Sequence, residues 1–340
     1  MRCWSNFITL AFGVTVQLMT VSPAVGKPQA QRIPDEYESL GGHALGFANG
    51  GTAATSGLGS VRSNPAMLAL EKQYSVSAGY HWPSVGREFY QAGAVDGKTS
   101  NVAAGVVYTS SQNDFKGYDA RASNNDQFES FYDSPIKYRL AGGMAQSFNK
   151  LSIGVSGQYV EGFLPTAGNF NINNRNSLVK SATLGFGIAG LLTEGLRFGI
   201  SGENLSNKKV RDLAPKTLRA GVAYSLFGGN LTLHCDYLQR DRVFHEKESL
   251  SIDIDAVELA EEQLEKPEQL VTGSASVRVQ DLLRLLFATG QDLSGSGRRL
   301  IGGGIALVNQ SYSLSYMISQ PYTSDPSLHQ AVNISMQVAI

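Results

Sequence analysis

The sequence predicts an all-β chain, a 14-stranded antiparallel transmembrane β-barrel preceded by an N-terminal plug segment. Three observations carry that prediction. From Gln73 to Ile340 the chain divides into fourteen short segments in which apolar and polar residues alternate. The charged residues of those segments keep to one of the two phases. The connections are alternately tight and long, as in outer-membrane barrels with short turns at one end and long loops at the other.

The chain begins with the composition of a secretory signal. Arg2 supplies a positive start, Phe7 to Val21 an apolar centre, and Ala24-Val25-Gly26 a small-residue cleavage site. Removal of residues 1–26 is expected; it takes Cys3 away and leaves Cys235 alone, so no intramolecular disulfide is expected. No apolar run of about 20 residues follows, so a membrane-spanning helix is not available. A formal net charge of −1 gives no electrostatic reason to expect nucleic acid as a partner. The near-neutral mean hydropathy suits a barrel, in which lipid-facing and polar positions average out.

Residues 27–72 differ in character. Gly41-Gly42, Gly46, Gly50-Gly51, Gly57 and Gly59 lead to Asn64-Pro65-Ala66. So many glycines permit tight turns and close backbone packing but supply little core of their own. Such a segment ahead of a wide barrel is expected to thread the lumen as a hatch, with a periplasmic tail as the alternative.

Strands are predicted over 73–82, 87–96, 101–109, 136–148, 150–160, 179–192, 195–204, 217–227, 229–240, 270–279, 281–290, 299–308, 310–319 and 329–340. In the first, Tyr74, Val76, Ala78, Tyr80 and Trp82 oppose Gln73, Ser75, Ser77, Gly79 and His81, the period of a strand with two unlike faces. In the ninth, Leu231, Leu233, Cys235 and Tyr237 oppose Thr232, His234, Asp236 and Leu238. Lys137, Arg139, Arg197, Glu203, Arg219, His234, Asp236, Arg278 and Arg284 fall on the polar phase and are expected to face the lumen. An Arg or Lys turned to lipid at the midplane costs about 2–4 kcal/mol. Segment 87–96 is hard to phase, and 281–290 is open to a short helix because Leu282, Leu283, Leu285 and Leu286 cluster. Val332, Ile334, Met336, Val338 and Ile340 alternate to the last residue, as in a strand that seals a barrel.

Tight turns are expected at Gly97–Ser100, Asn149, Thr193–Glu194, Gly228, Gln280 and Asn309, which places them at the periplasmic end. The other connections, 110–135, 161–178, 205–216, 241–269, 291–298 and 320–328, are longer; 83–86 alone breaks the alternation. A β-sandwich or propeller also alternates. Strands of about 9–11 residues, aromatic residues near strand ends, and a polar phase rich in Gly, Ser and charge favour the membrane barrel.

The run Leu40-Gly41-Gly42-His43-Ala44-Leu45-Gly46-Phe47-Ala48, with Asn64-Pro65-Ala66 ahead of the first strand, resembles the N-terminal signature of the FadL/TodX-like outer-membrane superfamily. Gly195-Leu196-Arg197-Phe198-Gly199, through Asn204-Leu205 and Ala214-Pro215 to Leu218–Tyr224, is similar to its PorV/PorQ-type branch. The resemblance implies fourteen strands and a lumen closed by a hatch that includes Gly41, Gly42, Gly46, Asn64, Pro65 and Ala66. It implies passive transport of small hydrophobic molecules. The alternative is a PorV-like adaptor for protein secretion or surface attachment, without transport. The expected partners are outer-membrane lipid, a small hydrophobic ligand, or a secreted or surface protein at loops 110–135 and 241–269.

No catalytic residue, metal or cofactor is expected. Loop 241–269 carries ten acidic residues against three basic ones, the composition of a solvated loop helix or a docking surface. Gly185-Phe-Gly187-Ile-Ala-Gly190 matches a dinucleotide glycine pattern by letter, but lies within a strand with no helix after it. His81, His234 and Asp236 share the polar phase, and no nucleophile motif accompanies them. Cys235 falls on the lipid-facing phase and reads as a small apolar residue.

Overall fold

The computed structural model describes residues 50–83, 88–111, 136–164, 177–206, 214–241, 267–280, 282–294, 299–309, 311–322 and 328–337. Two short helices, α1 (Leu58–Ser63) and α2 (Met67–Leu70), precede fourteen strands. These are β1 (Tyr74–Pro83), β2 (Phe89–Asp96), β3 (Val102–Ser111), β4 (Ile136–Phe148), β5 (Leu151–Leu164), β6 (Ser177–Leu191) and β7 (Leu196–Glu203). They continue as β8 (Thr217–Leu226), β9 (Leu231–Arg240), β10 (Glu268–Val279), β11 (Leu283–Asp292), β12 (Arg299–Val308), β13 (Tyr312–Tyr322) and β14 (His329–Gln337). Each strand pairs antiparallel with its neighbours in sequence, and β1 closes the barrel on β14. The expected signal residues 1–26 and residues 27–49 of the expected hatch lie outside the described residues.

Closure is set by the β1–β14 register, which runs from Ser75 opposite Gln337 to Pro83 opposite His329. Ser77 Oγ donates to Ser335 Oγ across this seam at 2.8 Å. The tight turns need residues that tolerate the left-handed region. Asn149 and Gln280 occupy it at φ 58° and 55°, and Phe227, Gly228 and Gly229 occupy it at the β8–β9 turn.

The alternation becomes two faces. Val155, Leu184, Phe287, Ile301 and Ile334 are exposed on the outside of the wall, a surface that water would not tolerate and a lipid chain does. Aromatic rings gather outside at the long-loop end. Tyr80 stacks on Trp82 and Tyr90 with centroids 5.2 and 4.9 Å apart, and Tyr138 lies 6.1 Å from Tyr159. Such amphipathic rings form the interfacial girdle of a membrane barrel. Cys235 is a free thiol on this outer face.

Three details differ from the alternation pattern or complete it. Segment β11 is a strand, paired with β10 and β12 along its length; its leucines sit on both faces because Leu283 and Leu285 face outward while Leu286 joins the inner apolar cluster beside Arg284. In β2, Phe89 turns inward beside His81 and Tyr90 turns outward beside Tyr80, so aromatic residues on both phases hide the period. Charge is not confined to the inner phase. Glu161 and Lys180 face outward at the long-loop end, paired at 3.4 Å, with the Tyr138 hydroxyl donating to Glu161 at 2.6 Å. Interfacial depth and pairing make that placement tolerable.

The inner face is also less uniformly polar than the Gly, Ser and charge content implies. Leu238, Leu270, Leu286, Leu300, Met317 and Ala331 turn inward and form one buried apolar cluster along β9–β14. Leu238 belongs to the phase of His234 and Asp236, so that phase carries both kinds of side chain.

The two-faced wall makes a direct prediction. Phe287→Arg places a charge on the lipid side near the middle of β11 and destabilises the barrel folded in lipid vesicles by about 2–4 kcal/mol. Ser274→Arg, on the lumenal face of β10, has a much smaller effect. Urea titrations of the two variants giving equal midpoints would contradict the assigned faces.

Candidate functional site

The candidate site is the lumenal segment 50–72 and the wall that holds it. Two kinds of contact fix it. Leu58, Val61, Leu68 and Ala69 pack against Val95, Ala103, Val107, Ala141 and Ala145 on the inner faces of β2–β4. Ala66 and Met67 pack with Ala189 of β6. The remaining contacts are polar and specific.

Asn64-Pro65-Ala66 forms the turn between the helices. Asn64 is extended, at φ −160° and ψ 97°, as the residue before a proline prefers. Its Oδ1 accepts the Ala66 amide at 3.2 Å, and its Nδ2 donates to the carbonyls of Thr52 and Ile188 at 3.0 and 3.3 Å. One side chain therefore closes its own turn, ties two parts of the segment together and reaches the wall. Ser152 Oγ donates to the Ala66 carbonyl at 2.8 Å, and Ser201 Oγ to the Ser63 carbonyl at 2.5 Å.

The wall beneath this turn is glycine because the backbones meet there. A Cβ at Gly154 would lie 2.6 Å from the Ala66 nitrogen, and one at Gly199 would lie 2.5 Å from the Thr52 carbonyl oxygen. Gly187 is in the same position against Asn64. Sequence reasoning missed these residues as part of the site. The available signal was the Gly185–Gly190 pattern, whose glycines make room for the turn rather than for a phosphate.

Two carboxylates hold the segment electrostatically. Asp236 of β9 accepts the backbone amides of Gly51 and Thr52, each at 2.8 Å, a charge-assisted pair that pins the start of the segment. Glu203 at the end of β7 pairs with Arg62 of α1 and with Arg219 of β8, the latter at 3.6 Å. The Arg62 and Glu203 side chains are only 4% and 7% exposed, so each relies on the other for its charge. Gln158, Thr183 and Asn204 extend the network; Thr183 Oγ1 donates to Asn204 Oδ1 at 2.9 Å, and Asn204 Nδ2 to the Pro215 carbonyl at 2.8 Å. Asn204 takes the left-handed region at φ 61°, which turns the chain out of β7 and brings its amide back inside. A small cavity beside this network is lined by Val61, Arg62, Gln158, Glu203 and Asn204.

The remaining residues singled out by sequence fall in several places. Arg139 is buried on the inner phase of β4 within electrostatic reach of Glu203. Arg197 of β7 pairs with Glu71, just after α2, at 3.2 Å. Burial pushes the Glu71 carboxyl above its ordinary range, and Arg197 and Arg284 pull it the other way. His234 is buried on β9, and Arg278 and Arg284 stand opposite each other on β10 and β11. The Lys137 side chain, Gly41, Gly42 and Gly46 lie outside the described residues, as do most of loops 110–135 and 241–269. His81 does not join His234 and Asp236. It stacks against Phe89 and His329 at the long-loop end of β1, six strands round the wall from β9. Among the described residues no three of His, Cys, Asp and Glu gather as a metal-ligand set.

The buried charge cluster predicts a large effect of a small change. Glu203→Gln removes the carboxylate shared by Arg62 and Arg219, leaves buried guanidinium charge, and destabilises the fold by about 3–5 kcal/mol. A urea unfolding midpoint equal to that of the unaltered protein would show that the cluster does not hold the segment.

No family model and no curated protein sequence matches the chain. Solved structures do resemble it. The CymD monoaromatic hydrocarbon channel aligns with a TM-score of 0.59 and 12% identity, covering 88% of this chain and 97% of that one. The Ralstonia pickettii toluene transporter TbuX gives 0.56 and 14%, covering 88% and 98%. A Pseudomonas aeruginosa FadL homologue gives 0.51 and 11%, covering 87% and 97%. Identities this low speak for architecture alone, and the closed fourteen-stranded barrel is the fold this chain shares with them.

Proposed function

We propose that the chain is a FadL-like outer-membrane channel for passive passage of small hydrophobic molecules, with the segment ending at Lys72 as its hatch. The observation that carries this reading is the division of the lumen. Helices α1 and α2 lie against β2–β7, and the inner face of β9–β14 carries the apolar cluster of Leu238, Leu270, Leu286, Leu300 and Met317, whose side chains are packed and buried in this structure. A hydrophobic solute reaches these side chains only as their packing opens, and it then gains about 25 cal/mol for each Å² of apolar area removed from water. The hydrogen bonds from Ser152 and Ser201 are individually weak enough to exchange for water, whereas the charged contacts of Asp236 and Glu203 hold the segment in place. The hydrocarbon channels of the same architecture support passage over the adaptor alternative. We infer also that residues 1–26 are a signal removed on export and that short turns face the periplasm.

Locking the hatch tests this reading. In a Cys235→Ser background, Ser63→Cys with Ser201→Cys joins α1 to β7 where Ser201 Oγ now meets the Ser63 carbonyl. Uptake of toluene by cells carrying the oxidised pair falls at least tenfold and returns on reduction. Uptake unaffected by oxidation, with the disulfide verified by mass, would remove the hatch from the transport route and the reading with it.

A further inference from the structure

The β8–β9 turn breaks a local rule that the other tight turns keep. Four non-glycine residues among the described ones take the left-handed region. Asn149, Asn204 and Gln280 are polar; the fourth, Phe227, is a bulky ring at φ 52°. A β-carbon in that region crowds the following carbonyl, so glycine or asparagine is the ordinary occupant. The same turn holds an asparagine three residues on, yet Asn230 sits in the right-handed region at φ −70°. Two contacts fix this arrangement: Leu226 pairs with Leu231 across the turn, and the Arg278 amide of β10 donates to the Asn230 carbonyl at 2.7 Å.

Packing inside the protein does not offset the strain at Phe227, whose side chain is 76% exposed. The rim beside it is apolar and exposed in the same way. Val279 and Leu282 flank the β10–β11 turn, and Leu307 and Tyr312 flank the β12–β13 turn. Val279, Leu283, Leu307, Leu314 and Ile334 are successive partners across β10–β14, one outward row at the tight-turn end. That row belongs to the same phase as Phe287, Ile301 and Ile305, so the rim continues the lipid-facing wall. The β2–β3 turn is unlike it: Asp96 Oδ1 accepts the amides of Lys98 and Thr99 and closes the turn with polar groups.

We propose that Phe227 is a lipid anchor, its ring seated among the acyl chains of the leaflet at the tight-turn end. The occupant is lipid because the patch is continuous with the lipid-facing wall. Phenylalanine also lacks the polar tip that suits Tyr and Trp to the headgroup level, so its place is on the hydrocarbon side of that boundary. The left-handed backbone aims the ring there, and contact with the chains offsets its strain. The anchor concerns how the barrel is seated and is independent of what passes through it.

Two measurements on the purified full-length protein in phosphatidylcholine vesicles test the anchor. The first uses a single tryptophan, with Trp4→Phe, Trp82→Phe and Phe227→Trp. Its emission falls at least twofold when the lipid carries bromine on its acyl chains, and iodide in the water has little effect. Lys98→Trp in place of Phe227→Trp gives the reverse. The second uses Phe227→Asn, which suits the left-handed turn and removes the ring. The anchor predicts a lower urea midpoint for unfolding from vesicles, whereas backbone geometry alone predicts a higher one. Emission from position 227 that ignores brominated lipid and is quenched by iodide would overturn the anchor. An equal or raised midpoint for Phe227→Asn would overturn it as well.

Discussion

A backbone in hydrocarbon has no water to bond with, so every amide and carbonyl of the wall must find a partner within the wall. Pairing β1 with β14 meets that requirement by removing both edges. Much else follows from closure. Once the sheet is a ring, each residue points either to lipid or to the lumen, and a one-residue slip would exchange the two environments along a whole strand. Val155 and Phe287 outside, and Arg139, Glu203 and Asp236 inside, are consequences of one register.

Closure also creates an interior that must be filled. The chain fills it asymmetrically. Under β2–β7 the space is occupied by α1, α2 and their turn, seated on glycine and alanine where backbones meet. Under β9–β14 the wall supplies its own apolar side chains. Buried charge marks the junctions between segment and wall, Arg62 with Glu203 on one side and the Gly51 and Thr52 amides with Asp236 on the other. A buried carboxylate without partners is costly, so these contacts fix position more than they add stability. The lumenal segment 50–72 is held this way in one register, and none of its described residues joins the barrel as a strand.

Strand existence, order and approximate ends were legible because period-2 alternation and left-handed turn residues are local signals. Tyr74–Trp82 shows the first plainly, and Asn149 and Gln280 show the second. β2 and β11 resisted because their alternation is blurred: Phe89 and Tyr90 put rings on both faces, and Leu283, Leu285 and Leu286 put leucines on both. The lumenal apolar cluster was hidden for a related reason, since its members come one or two at a time from six strands and never form a run. The glycines Gly154, Gly187 and Gly199 carry no side chain to announce a contact; only the approach of Ala66, Asn64 and Thr52 reveals their purpose. Asn64-Pro65-Ala66 was visible as a turn, whereas its bonds to Ile188 and Ser152 join residues far apart in sequence and needed the fold.

The central claim is that residues 50–72 are a fixed plug bonded to the inner wall. Amide hydrogen exchange of the folded protein, followed peptide by peptide, tests it most directly. The account predicts that the Gly51, Thr52 and Ala66 amides, bonded to Asp236 and Asn64, exchange over hours, as slowly as the central amides of β8 and β9. Exchange of this segment within seconds, at the rate of an unstructured chain and beside a fully protected wall, would contradict it.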